Sequence, residues 1–133
     1  MSGFVVPVNG ANFEKEVLKS DKLVLIDFYA DWCGPCKSLA PRLEKFAEAH
    51  QADVKVVKIN VDENPQLAAA FGVRSIPMLV TMKDGEAVFK AMGAVPDTTL
   101  ENMCKQSLQT QNADDIKNRQ TQDPFNRPKP PRL

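Results

Sequence analysis

The chain has 133 residues, 43% of them hydrophobic, and its 17 basic residues balance 17 acidic residues. This length and composition predict one folded domain with a substantial core, and the charge balance argues against a nucleic-acid-binding surface. No apolar run approaches the roughly 18–20 residues that a membrane span needs, and three cysteines are too few for a disulfide scaffold.

The first part of the chain predicts two strands around a helix. Residues 1–4 contain no basic region followed by an apolar stretch, so we expect no secretory signal and a cytoplasmic protein. Residues 4–8 are typical of a short strand, and Pro7 indicates a sheet edge because proline cannot donate to a central ladder. A helix over residues 13–18 is expected next. Residues 23–29 form a near-continuous apolar run, which favours a central strand covered on both faces.

The longest predicted helix begins at a Cys-x-x-Cys pair, Cys33 and Cys36, and extends to about His50. Pro41 lies inside this helix and should kink it. Apolar residues recur along it at helical spacing and predict a buried stripe of Leu39, Leu43, Phe46 and Ala47.

A strand and a short helix are predicted next. Residues 54–61 are rich in β-branched side chains, as strands are. Asn64 followed by Pro65 indicates a helix cap with proline in the first turn, and Gly72 indicates the end of that helix.

The rest of the predicted domain is a hairpin and a last helix. The turn signal Asp84-Gly85 separates apolar runs at residues 76–82 and 87–92. The last helix should open near residue 97 or 98, where Thr98 and Glu101 have capping-box spacing. The order βαβαβαββα predicts an α/β domain whose early strands are parallel and whose final hairpin is antiparallel.

The residues most informative about chemistry are the two cysteines in Trp-Cys-Gly-Pro-Cys, residues 32–36. Their spacing after a strand favours a reversible dithiol/disulfide couple. If a helix begins at Cys33, its sulfur lies over unpaired backbone N–H groups and the positive end of the helix dipole, and both favour the thiolate. Cys36, one turn further in, should be more shielded. We therefore expect Cys33 to attack a substrate disulfide and Cys36 to resolve the mixed disulfide.

Asp27 is a carboxylate inside an apolar strand, where burial should raise its pKa. Such an acid can accept the proton of Cys36 as that thiol becomes a nucleophile. The alternative is a structural aspartate at a strand end. Lys58, in the next strand, either pairs with Asp27 and tunes it or is a solvated strand residue.

Several motifs together resemble the thioredoxin family. They lie at residues 27–37, 40–41, 61–65, 75–77 and 93–94, and the resemblance spans about residues 3–108. It implies the thioredoxin fold, an α/β domain with a five-strand mixed sheet flanked by four helices. With the strands numbered along the chain, their order in that sheet is 1-3-2-4-5.

The resemblance also implies a function. The chain would be a thiol-disulfide oxidoreductase that reduces protein disulfides and is recharged by a flavin-containing, NADPH-dependent thioredoxin reductase. It would carry no bound cofactor beyond the redox-active Cys33–Cys36 disulfide, and we expect a monomer. The uncharged Gly-Pro between the cysteines favours a reductant over an oxidant. The alternatives are a specialised redox protein and a non-catalytic binding subunit, although a pure scaffold needs neither thiol.

The resemblance further implies a substrate-docking rim beside the cysteines. Pro77 would be a cis-proline, since only X-Pro bonds adopt cis at low cost. An extended substrate could pair with the backbone beside it. The chain departs from common family residues at Tyr29 (tryptophan), Ser75 (glycine) and Met92 (valine), and the last two adjoin the rim. The predicted rim consists of Trp32, Gly34, Pro35, Ile76, Pro77, Gly93 and Ala94.

The third cysteine and the histidine give weaker indications of function than the residues above. Cys104 follows Leu100 and Met103 at core spacing and is expected to be a buried small hydrophobe, with a regulatory thiol as the alternative. His50, the only histidine, is expected at the surface. A metal site is not predicted, because two cysteines without a second ligand pair do not complete a tetrahedral site.

The sequence changes character after residue 108. Residues 109–133 are polar, hold four prolines, and include a PxxP spacing at Pro128–Pro131. Such a segment cannot bury enough apolar surface to fold alone, so we expect a domain over residues 1–108 and a flexible tail over residues 109–133. The tail is either a disordered extension or an element that docks on the domain or a partner through Phe125 and its prolines.

Overall fold

A computed structural model describes residues 3–109, in which a five-stranded sheet lies between helices. The strands lie in the order β1-β3-β2-β4-β5, so the predicted topology is confirmed. β1, β3 and β2 are parallel, whereas β4 and β5 are antiparallel to their neighbours. The strands are β1 (Val5–Pro7), β2 (Leu23–Tyr29), β3 (Val54–Asn60), β4 (Met78–Lys83) and β5 (Glu86–Met92).

Within residues 3–109, three helices connect successive strands and a fourth follows β5, all in the predicted positions. The first is a single turn of π-helix at Glu14–Leu18. The others are α1 (Gly34–Ala49), α2 (Pro65–Ala70) and α3 (Asp97–Leu108). Among the helices of residues 3–109, none has the length and apolar character needed to cross a membrane. Apart from Gln109, the tail expected from the sequence lies outside the described residues.

The sheet has a separate apolar core on each face, because side chains along a strand alternate between faces. Leu25 of β2 packs with the apolar stripes of α1 and α3, and Ile26 packs on the opposite core with the π-helix and α2. All four residues of the predicted α1 stripe are buried. Asp27 shares the parity of Leu25, so it points toward the face that α1 covers.

The predicted hairpin turn is confirmed, whereas the predicted cap of the last helix is not. Asp84 and Gly85 both have positive φ, 51° and 81°, as the tight hairpin turn requires. The capping box at α3 was wrong. The helix begins one residue earlier than Thr98, with Pro96 as its N-cap and without a side-chain cap hydrogen bond. Thr98 therefore lies inside the first turn, where its hydroxyl cannot act as the cap.

The remaining cysteine and the histidine are not at the redox pair. Cys104 is buried as predicted, and this burial raises its pKa to about 12. His50 was expected at the surface but is half-buried, because its ring stacks on Phe46 with centroids 4.3 Å apart.

Candidate active site at the start of the first long helix

The two predicted redox cysteines lie at the N-terminus of α1. Cys33 is the N-cap residue and Cys36 lies in the first turn, and a disulfide joins them with Cα atoms 5.2 Å apart. The backbone N–H of Cys36 donates to Sγ of Cys33 at 3.2 Å. Pro35 occupies the first turn, where its missing N–H leaves no hydrogen bond unmade. The sulfur of Cys33 therefore lies at the positive end of the helix, as the sequence predicted.

Burial does not separate the two cysteines, contrary to the expectation that Cys36 is more shielded. Each residue is 4% exposed. Both pack in one small apolar cluster with buried Ala30, bordered by partly buried Tyr29, Val61 and Ile76. The disulfide holds the two side chains against the same neighbours, so the difference between the cysteines lies in their place on the helix.

Asp27 is buried in the centre of β2, as predicted, with 4% of its surface exposed. Within the described residues its Oδ1 has no hydrogen-bond partner. Burial raises the pKa of this carboxyl from 3.8 to about 7, while the charge of Lys58 acts in the opposite direction. A group with this pKa can both accept and release a proton near neutral pH.

Lys58 is the register partner of Asp27 across the parallel strands β2 and β3. The direct pairing considered from the sequence is not made. Within residues 3–109 the two side chains form no salt bridge, and the Lys58 ammonium lies 5.6 Å from the centre of the Tyr29 ring. Lys58 therefore acts on the carboxyl through its charge rather than through a hydrogen bond.

A narrow crevice of about 140 Å³ reaches Asp27 from beside α1. Lys58, Ala40 and Glu44 are among the residues that line it. Ala40 follows Cys36 by four residues, so the two share one side of the helix. The crevice thus lies on the side of α1 that carries Cys36, although Cys36 itself is not among its lining residues. Its volume is enough for water, and its lining offers polar partners.

The predicted rim residues come from several elements of the fold. The Ile76–Pro77 peptide bond is cis, as the resemblance implied. The carbonyl of Pro77 accepts the N–H of Gly93 at 2.7 Å, which brings those two rim segments together. Gly93 has φ of 92°, a conformation that favours glycine. Ile76 contacts the cysteine cluster directly. Exposed rim residues include Trp32, Gly34, Pro35 and Ala94.

Three contacts at the rim were not predicted, because each joins residues far apart in the sequence. The indole N–H of Trp32, a side chain 69% exposed, donates to Oδ2 of Asp62 at 2.8 Å. The hydroxyl of Ser75 donates to the sulfur of Met92 at 3.1 Å. Arg42 on α1 donates to the carbonyl of Val95, in the segment that follows the rim. The sequence had drawn attention to Trp32, Ser75 and Met92 one by one, but not to the partner that each contacts.

The site contains no candidate metal centre in the part of the chain that the structure describes. No group of three or more His, Cys, Asp or Glu residues there has a geometry that could hold a metal ion. The titratable and redox-active groups described above are two sulfurs, a carboxyl with a raised pKa and a neighbouring ammonium.

Comparison with known proteins gives one consistent match. A family model described as Thioredoxin matches residues 4–106. The chain is 50% identical to thioredoxin 1 of Synechococcus elongatus over 101 residues, which cover 76% of this chain and 94% of that protein. It is 49% identical to the thioredoxin of Porphyra purpurea over 98 residues, covering 74% and 92%. It is 47% identical to the thioredoxin of Haemophilus influenzae over 104 residues, covering 78% and 97%.

Proposed function

This chain belongs to the thioredoxin family, and on that premise we propose that it carries electrons from an NADPH-dependent thioredoxin reductase to the disulfides of other proteins. The family and the Cys33–Cys36 pair make it a protein-disulfide reductase. The observation that supports the proposal most directly is the position of Cys33 as the N-cap of a 16-residue helix.

In the first proposed step, the Cys33 thiolate attacks one sulfur of the substrate disulfide. The substrate S–S bond breaks, the other substrate sulfur leaves as a thiolate, and a mixed disulfide joins Cys33 to the substrate. The helix dipole and the Cys36 N–H stabilise negative charge on the Cys33 sulfur, which supports its role as the nucleophile.

In the second proposed step, Cys36 attacks the sulfur of Cys33 and releases the substrate. The mixed disulfide breaks, the second substrate sulfur leaves as a thiolate, and the Cys33–Cys36 disulfide forms. The substrate has gained two electrons and the protein has lost two. Asp27 accepts the proton of Cys36, a role that its burial and its pKa of about 7 support. Lys58 tunes that carboxyl by lowering its pKa.

Reduction of the oxidised protein by thioredoxin reductase reverses these thiol–disulfide exchanges. Two electrons from NADPH, delivered through the dithiol of thioredoxin reductase, reduce the Cys33–Cys36 disulfide. No bound cofactor is needed in this chain for either half of the cycle, because the electrons reside on the two sulfurs.

We propose that substrates dock on the rim in an extended conformation. Ile76 adjoins the cysteine cluster, and within residues 3–109 its backbone N–H and carbonyl make no backbone hydrogen bond. An extended segment can therefore pair with them while its half-cystine reaches Cys33. Trp32, Gly34 and Pro35 are exposed and adjoin the cysteines along the chain, which supports their place in the proposed docking surface.

We propose that the thioredoxin domain ends near Leu108, the last residue of α3. Residues 110–133 lie outside the described residues, so a docking role for the tail rests on its sequence alone.

The proposal is tested by following NADPH-dependent reduction of insulin disulfides with thioredoxin reductase. Wild type should turn over, and Cys33→Ser and Cys36→Ser should not. The Cys36→Ser variant should also accumulate a mixed disulfide with substrate, because no thiol resolves it. Cys104→Ser is the matched control and should keep full turnover. Turnover by Cys33→Ser would contradict the assigned nucleophile, and no turnover by wild type would contradict the proposed function.

A further inference from the structure

Met92 is one of the two most exposed large apolar side chains in the described part of the chain, with 65% of its surface accessible. It is the last residue of β5 and directly precedes Gly93 of the rim. A thioether in this place is chemically distinct from an aliphatic side chain, because its sulfur is polarisable and the chain that carries it is flexible. Its exposure leaves it available to whatever docks beside the cysteines.

The Met92 sulfur contacts Ser75, which lies 17 residues earlier in the chain. The Ser75 hydroxyl donates to that sulfur at 3.1 Å. A thioether is a weak acceptor and the contact is exposed, so it contributes little to stability. Its effect is to favour one orientation of a long side chain, with the sulfur on the Ser75 side.

That orientation places the sulfur beside the Ile76–Pro77 segment. Ser75 directly precedes Ile76, and Met92 pairs across the sheet with Met78, which directly follows Pro77. The Ser75–Met92 contact therefore spans the segment whose backbone groups at Ile76 are unused within residues 3–109. A substrate that pairs with Ile76 therefore approaches the segment that the Ser75–Met92 contact spans.

We propose that Ser75 and Met92 act together as a specificity element that favours disulfide substrates with an aromatic side chain close to the half-cystine that Cys33 attacks. The inference rests on the proposed function. Sulfur and an aromatic ring attract each other more than two aliphatic groups of similar size do, and the held sulfur presents that contact at the docking segment. The strength of such contacts corresponds to a preference of about two- to tenfold in rate.

The test uses disulfide-linked peptides that differ at one position. Phe and Leu are exchanged at each of the four positions nearest the cysteine, and kcat/KM for reduction is measured for each pair. Wild type should reduce the Phe peptide about two- to tenfold faster at one or more positions. Met92→Leu keeps the apolar volume but removes the sulfur, and should bring that ratio close to one. Ser75→Ala should lower the ratio in part, since the sulfur is no longer oriented.

Two further measurements make the result specific. Leu108→Val alters another exposed apolar residue, at the end of α3, and should keep the wild-type ratio. All variants are also assayed on insulin, where measurable reduction by Met92→Leu shows that this variant is folded and redox-active. A wild-type ratio near one at every position, or a ratio that persists in Met92→Leu, overturns the inference while insulin reduction still supports the proposed function. If wild type fails on insulin as well, both are overturned.

Discussion

Asp27 and Lys58 are opposite each other on the parallel strands β2 and β3, yet their side chains form no salt bridge within the described residues. The carboxyl is 4% exposed and one of its oxygens lacks a hydrogen-bond partner among residues 3–109. Desolvation therefore outweighs the attraction of the ammonium, and the pKa of Asp27 rises to about 7. This balance governs both stability and the proposed proton transfer.

The buried carboxyl should make stability depend on pH. In the unfolded chain Asp27 titrates near 3.8, and in the folded chain its pKa is about 7. Between these values the folded protein holds a proton that the unfolded chain has lost, so stability falls as pH rises from about 4 to about 7. Asp27→Asn removes this dependence. The unfolding free energy of the oxidised variant, relative to wild type, should grow by about 4 kcal/mol between pH 4 and pH 8.

Urea denaturation at a series of pH values measures this difference. Glu48→Gln, which removes an exposed carboxylate from α1, is the matched control and should show no such growth. A constant difference between Asp27→Asn and wild type across the range would show that the carboxyl is not held neutral by burial.

The resolving step should depend on the same carboxyl. Asp27→Asn cannot accept the Cys36 proton, so decay of the mixed disulfide at pH 7 should slow by about 10²-fold, while its formation by Cys33 is unchanged. In wild type the decay rate should fall as pH drops below about 7, because Asp27 becomes protonated. Rapid acid quenching separates formation from decay.

Removal of the neighbouring charge gives a second check on that step. The charge of Lys58 lowers the pKa of Asp27, so Lys58→Met should raise that pKa further and move the inflection of the decay rate to higher pH. An inflection that stays in place would mean that Lys58 does not influence the carboxyl.

A buried hydroxyl pair ties α3 to the sheet. The Ser107 hydroxyl lies 2.8 Å from Oγ1 of Thr81, which also accepts the N–H of Phe89 at 3.0 Å. Ser107→Ala leaves this buried network without one partner and should lower the unfolding free energy by about 1–3 kcal/mol. Ser38→Ala, on the exposed side of α1, should change it by less than about 0.5 kcal/mol. Equal effects of the two changes in thermal denaturation would contradict the role of burial.

The Trp32–Asp62 contact should be visible in fluorescence, because Trp32 is the only tryptophan. Asp62→Ala removes the acceptor of the indole N–H, so the emission maximum and the response to oxidation of the cysteine pair should both change. Asp62→Asn keeps a carbonyl acceptor and should lie closer to wild type. Glu63→Ala is the control, because it removes a neighbouring negative charge but leaves the hydrogen bond in place. If Glu63→Ala shifted the emission maximum as much as Asp62→Ala does, the effect would come from the lost charge and not from the hydrogen bond.

The sheet and the cysteine pair were predictable because their signals are local or periodic. Short stretches of sequence were enough to predict three features of the fold. These are the central strand from the apolar run of β2, the buried side of α1 from its apolar stripe, and the hairpin from Asp84-Gly85. The α3 capping box failed because a four-residue pattern does not exclude a start one residue earlier. Equal burial of the cysteines was missed because their exposure is set by distant neighbours such as Val61.

The contacts that specify the rim were not predictable in the same way. Trp32 meets Asp62 across 30 residues, and Ser75 meets Met92 across 17. Such pairs follow from strand order and register, and the local sequence around one residue does not predict which distant residue it contacts. The resemblance to a family predicted the rim and its departures at Ser75 and Met92, whereas the contacts that these residues make required the structure.

The hydrogen bond from the Cys36 N–H to the Cys33 sulfur has a consequence for observation. Its acceptor changes from a disulfide sulfur to a thiol or thiolate in each catalytic cycle. The environment of the Cys36 amide proton thus changes with the oxidation state of the Cys33 sulfur through this one hydrogen bond. In a sample labelled with nitrogen-15, the NMR chemical shift of the Cys36 amide should therefore report whether the cysteine pair is oxidised or reduced, without any added dye.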